Sequence, residues 1–78
     1  MADKIIKYLA RLGETDRVKI RETIYRILNS DLVGIDIKKL QSSGNVYRAR
    51  AGDHRIIFEK IGNESQIIDV KKRDDTTY

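Results

Sequence analysis

On both sides of Gly52-Asp53 the chain alternates residue character with period two. Val46 to Ala51 and His54 to Lys60 therefore read as two strands joined by a two-residue hairpin turn. A turn of that length leaves one register. Arg50 faces Arg55, Ala49 faces Ile56, Arg48 faces Ile57, and Tyr47 faces Phe58. Alternation then puts Tyr47, Ala49, Ile56 and Phe58 on a core face, and Arg48, Arg50, Arg55 and Ile57 on the other. Gly62-Asn63 marks the next turn, and Gln66 to Lys71 a third strand. Ile67 and Ile68 are adjacent, so Val70 sets the parity. With Val70 inward, Ile68 is buried, and Ile67, Asp69, Lys71 and Arg73 join the arginine face. A three-residue Gly62-Asn63-Glu64 loop accommodates that register.

The first half of the chain has helical spacing instead. Ala2 to Leu12 places Ile5, Leu9 and Leu12 on one side, flanked by Ile6 and Tyr8. Gly13 stops this helix. Thr15 is the candidate N-cap of a second helix, with Asp16 in its first turn. That helix runs to about Asn29, burying Ile20, Ile24, Ile27 and Leu28, with Val18 and Tyr25 beside them. The short connection makes the pair an antiparallel hairpin. Asp31 to Asn45 reads as irregular, anchored in the core by Leu40. The expectation is a single α+β domain over residues 1–78, its N-terminal helical hairpin packed on one face of an antiparallel three- to four-stranded sheet.

Composition narrows the chemistry. The chain has no Cys and one His, His54. A disulfide framework, thiol chemistry, a Cys-based zinc site and a His-dependent triad are thereby disfavoured, and no metal or cofactor is expected. His54 itself reads as a packing residue near the core edge, and Tyr8 and Tyr25 as packing residues on the helices. Charged residues make up 36% and hydrophobic ones 40%, too apolar for a disordered chain and too charged for a membrane protein. No apolar run is long enough for a bilayer span or a signal peptide, so a cytoplasmic location without a membrane partner is expected. The formal charge is +4, from 16 Lys+Arg against 12 Asp+Glu. The inferred open face collects Arg48, Arg50, Arg55, Lys71 and Arg73, offset there by Asp69 and Glu59. Arg50 opposite Arg55 is locally unfavourable, since like charges across a strand pair repel. Such a face suits a polyanion; the plainer alternative is a solvated face that collects long polar side chains.

The run Tyr47-Arg-Ala-Arg-Ala-Gly-Asp-His-Arg-Ile-Ile-Phe58 resembles the central hairpin of the RelE/ParE toxin superfamily, the toxins of type II toxin–antitoxin systems. Asp36-Ile-Lys-Lys-Leu40 and the Ser-Gly-Asn segment after it resemble the family's lead into that hairpin. Asp69-Val-Lys-Lys-Arg73 and the terminal Tyr78 resemble its last strand and tail. Family members usually begin with a strand before the helical hairpin. Here Met1-Ala-Asp-Lys4 leads straight into helix, so that first strand is expected to be missing. The sheet is then expected to keep an edge open to a partner chain.

On the RelE branch the resemblance implies a metal-independent endoribonuclease. It would cleave messenger RNA in the ribosomal A site, inhibit translation, and be neutralised by a cognate antitoxin protein. Arg55 and Arg73 would hold the scissile phosphate, Arg48, Arg50 and Lys71 would bind the RNA, and Tyr78 would stack on a base or take a proton. Cleavage requires removal of the 2′-hydroxyl proton, stabilisation of the phosphate, and protonation of the leaving 5′-oxygen. Ribonucleolytic relatives carry lysine on the first hairpin strand where this chain has arginine. Arginine stays protonated, which shifts proton abstraction to Tyr78 or Lys71. The resemblance also allows a ParE-like inhibitor of DNA gyrase that cuts nothing, and a catalytically inactive binding module.

Overall fold

The structure, a computed structural model, describes residues 3–40 and 44–72. Helix α1, Asp3–Ala10, buries Ile5 and Leu9. Helix α2, Glu14–Leu28, buries Ile20, Ile24 and Ile27. The start of α2 differs from the sequence expectation. Its N-cap is Gly13, in an extended conformation without a side-chain hydrogen bond, and Thr15 lies inside the helix. Glu14 and Asp16 in the first turn still complement the helix dipole. At the other end the Asn29 side-chain amide donates to the Tyr25 carbonyl at 2.7 Å.

Four strands follow: β1, Ile37–Lys39; β2, Val46–Ala51; β3, His54–Ile61; and β4, Glu64–Lys72. They form one antiparallel sheet in the order β1-β2-β3-β4. The sheet is four-stranded. The segment read as irregular supplies β1, pairing Ile37 with Ala49, Lys38 with Arg48 and Lys39 with Tyr47. Leu32, Ile35 and Ile37 pack this segment against the core, the part assigned to Leu40.

The central hairpin has the expected register from Ala51–His54 to Tyr47–Phe58. Gly52 holds φ +61 and Asp53 is not in the positive region, the pattern of a type II′ turn. Phe58 is fully buried beside Ile20, Ile27 and Ile56, and stacks on Tyr47 at 5.7 Å between ring centroids. Packing of this kind comes from the inner faces of both layers.

Strand β4 departs from the expected pairing in an instructive way. Ile56 pairs with Val70 and Ile57 with Asp69, as anticipated, but Phe58 pairs with Ile67. Ile68 is the extra residue of a β-bulge. The hairpin turn is the two-residue Gly62-Asn63, with Ile61 opposite Glu64. The residue expected in the loop is thus taken up inside the strand. As a result Ile67 and Val70 are both buried, and Ile68 is 41% exposed on the opposite face. The exposed side of α2 also departs from expectation: Val18, Tyr25 and Leu28 face solvent.

His54 is buried near the core edge, with its ring edge-on to Tyr8 at 5.9 Å. Neither ring nitrogen has a hydrogen-bond partner among the described residues. Buried polar atoms without partners cost free energy that an apolar ring of the same shape avoids. His54→Phe is therefore expected to stabilise the chain by about 1 kcal/mol. A thermal melt should show a midpoint ~4–8 °C higher. A lower midpoint would mean that the imidazole contributes more than packing.

Candidate functional site

The face of the sheet away from the helices carries an open groove of about 550 Å³. Its floor is aliphatic: Ile57, Ile68, Leu40 and Val46. Ile57 is only 4% exposed although it points away from the helical layer. Around the floor stand Arg48, Arg55, Lys38 and Lys39.

Strand pairing explains the grouping. Arg48 sits opposite Ile57, and Arg55 is two residues from Ile57 on the same face. The two arginines are diagonal neighbours, a separation of ~7–8 Å in regular sheet. Lys38 on β1 lies directly across from Arg48. Arg55 in turn has Arg50 opposite it on β2 and Lys71 opposite it on β4. The core below holds these strands in place.

The two groove arginines are both partly buried. The Arg48 side chain is 13% exposed, and its Nη1 is buried without a hydrogen-bond partner among the described residues. The nearest carboxylate oxygen, from Asp36, lies at 3.8 Å, near enough for charge but not for a hydrogen bond. Arg55 Nε is likewise buried without a partner among the described residues. Cationic N–H groups in this condition suit an anionic acceptor.

The sequence-predicted site residues separate into groups. Arg48 and Arg55 share the groove. Arg50 lies on the same face but lines a second cleft, beside Lys19 and Gly52 on the α2 side. Its guanidinium pairs with Asp36 at 3.6 Å. Lys71 flanks Arg55 and pairs with Asp69 at 3.9 Å, and Asp69 also meets Lys4 at 3.9 Å. Arg73 and Tyr78 lie outside the described residues.

Two site residues escaped the sequence reading. Asp36 is a third acid on the arginine face and touches both Arg48 and Arg50. Lys38 is the second. Both belong to the segment taken as irregular, yet Ile35-Asp36-Ile37-Lys38 alternates with period two, a signal sufficient to place Lys38 beside Asp36 on one face. Among the described residues no group of three or more His, Asp or Glu could hold a metal ion. No helix among them is long and apolar enough to cross a membrane.

No protein-family model matches the chain, and no curated protein matches it in sequence. Two solved structures are similar to it. A chain of the RelB-RelE antitoxin-toxin complex from Methanococcus jannaschii superposes with a TM-score of 0.75 at 30% identity, covering 92% of this chain and 87% of that one. A chain of the archaeal RelE-RelB complex from Pyrococcus horikoshii OT3 gives 0.72 at 25% identity, covering 95% and 91%.

Proposed function

The chain has the RelE-like α+β fold, and from that premise we propose that it is the toxin of a toxin–antitoxin pair. In this reading a cognate antitoxin protein holds it inactive, as the complexes of its structural neighbours suggest. Released, it acts on messenger RNA at the ribosome as a metal-independent endoribonuclease and halts translation.

The observation that carries the RNA reading is the pair of partly buried arginines in one groove. Arg48 Nη1 and Arg55 Nε lack hydrogen-bond partners among the described residues. A phosphodiester supplies acceptor oxygens and negative charge together. As the 2′-oxygen attacks the adjacent phosphorus and the bond to the 5′-oxygen breaks, charge builds on the phosphate oxygens. Arg48 and Arg55 stabilise that charge in a partly water-excluded groove.

The protons need a separate carrier, since arginine does not release one. The lysine absent from the first hairpin strand has a counterpart on β1, where Lys38 faces Arg48. An amine at this position is a reasonable proton carrier for the 2′-hydroxyl or the 5′-oxygen. A gyrase inhibitor that cuts nothing has no need of such an amine.

Induced expression in a bacterial host tests the function. The expected result is growth arrest, with messenger RNA cut inside ribosome-bound codons and growth restored by the antitoxin. Arrest with damaged DNA and intact messages would move the assignment to gyrase. Unimpaired growth would remove the toxin reading.

A further inference from the structure

We propose that the aliphatic floor of the groove is a nucleobase subsite, with Ile68 as its specificity-determining contact; the proposal rests on the reading of the groove as an RNA site. The starting observation is the bulge. Without it, alternation would bury Ile68 and turn Ile67 outward. With it, Ile67 closes the core and Ile68 lines the groove. Bulges often re-aim a side chain beside a functional site. Here the re-aimed side chain is apolar, on the sheet face away from the helices.

That side chain is not isolated. Ile57, Val46 and Leu40 line the same concavity, with Lys38, Arg48 and Arg55 around it. A purely phosphate-binding surface has no use for a recessed aliphatic floor. A nucleotide presents both an anionic diester and a flat apolar ring face, and the groove offers a counterpart to each. The cations around the floor suit any anion, but a nucleotide joins its anionic diester to a flat apolar ring within one residue, which matches cations and aliphatic floor together. An aliphatic floor takes a base by contact with its face. It carries no donor or acceptor side chain to distinguish base edges, so it favours base size over base identity.

The test compares two uncleavable trinucleotides, each lacking the central 2′-hydroxyl, one with every base present and one abasic at the centre. Fluorescence anisotropy measures their binding to wild type, Ile68→Ala and Ile68→Met. Ile68→Ala is expected to bind the complete trinucleotide about tenfold more weakly, the effect of losing roughly two buried methylene groups. Its affinity for the abasic trinucleotide should match that of wild type. Ile68→Met should restore binding of the complete trinucleotide. Circular dichroism melts of all three proteins establish that they are folded.

Equal affinities of wild type and Ile68→Ala for the complete trinucleotide would overturn the subsite and leave the RNA groove standing. Equal weakening with both probes would also overturn it, as a general disturbance of the groove. If wild type binds neither trinucleotide, the subsite is overturned, while the RNA reading is decided separately by the expression test. If Ile68→Ala loses only the binding of an acidic hexapeptide with a central leucine pair, the floor belongs to a protein segment and the proposal is overturned.

Discussion

Replacing Arg55 with methionine is expected to lower RNA cleavage by ~10²–10³-fold, the usual cost of removing one donor from a preorganised anion site. The same substitution should leave the protein as stable as before or more so. The opposite signs follow from where Arg55 sits. It is flanked in register by Arg50 on one side and Lys71 on the other. Like charges placed directly opposite destabilise a sheet by ~0.2–1 kcal/mol per pair. Its Nε is also buried without a partner among the described residues. Methionine keeps a long apolar stem over the floor and removes the charge. A chain selected for stability alone has no reason to keep arginine at this position, whereas a site for a phosphodiester does. Cleavage of a ribosome-bound message and a urea unfolding curve, measured on the same preparation, give the two readouts. Unchanged cleavage would remove Arg55 from the site. A fall in stability parallel to the fall in cleavage would make its role structural.

Much of this arrangement is readable from residues 46–58 alone. A glycine-led two-residue turn fixes one register, and alternation assigns every side chain in the hairpin to a face. The pairing of Arg50 with Arg55 therefore needs no coordinates. Features that lie outside a strict period are the ones that were not legible. The bulge at Ile68 adds one residue to β4, and adjacent isoleucines give no parity signal to locate it. Strand β1 is three residues long; the alternation Ile35-Asp36-Ile37-Lys38 puts Asp36 and Lys38 on one face, but with no turn to fix a register it does not say which strand they lie beside. Helix α2 misled for a different reason. It has a second apolar side, with Val18, Tyr25 and Leu28, and spacing does not tell which side meets the sheet.

That second side of α2 gives the largest contrast in stability. Phe58→Ala is expected to cost about 3–5 kcal/mol, since it removes a buried aromatic and leaves a cavity. Phe58 is fully buried, contributes to the packing beneath α2, and stacks on Tyr47. A chain of this length has a total stability of roughly 4–12 kcal/mol. The substitution consumes much or all of that, so the urea midpoint should fall sharply and the folded baseline shorten or vanish. Leu28→Ala, a loss of comparable apolar chemistry, should stay within about 0.5 kcal/mol. Leu28 is 49% exposed and belongs to the outer side of α2, beside Tyr25 at 69%. A loss above ~2 kcal/mol at Leu28 would mean that this side is covered in solution. Measuring Leu28→Ala at two protein concentrations separates the possibilities, because cover supplied by a second copy makes the loss concentration-dependent.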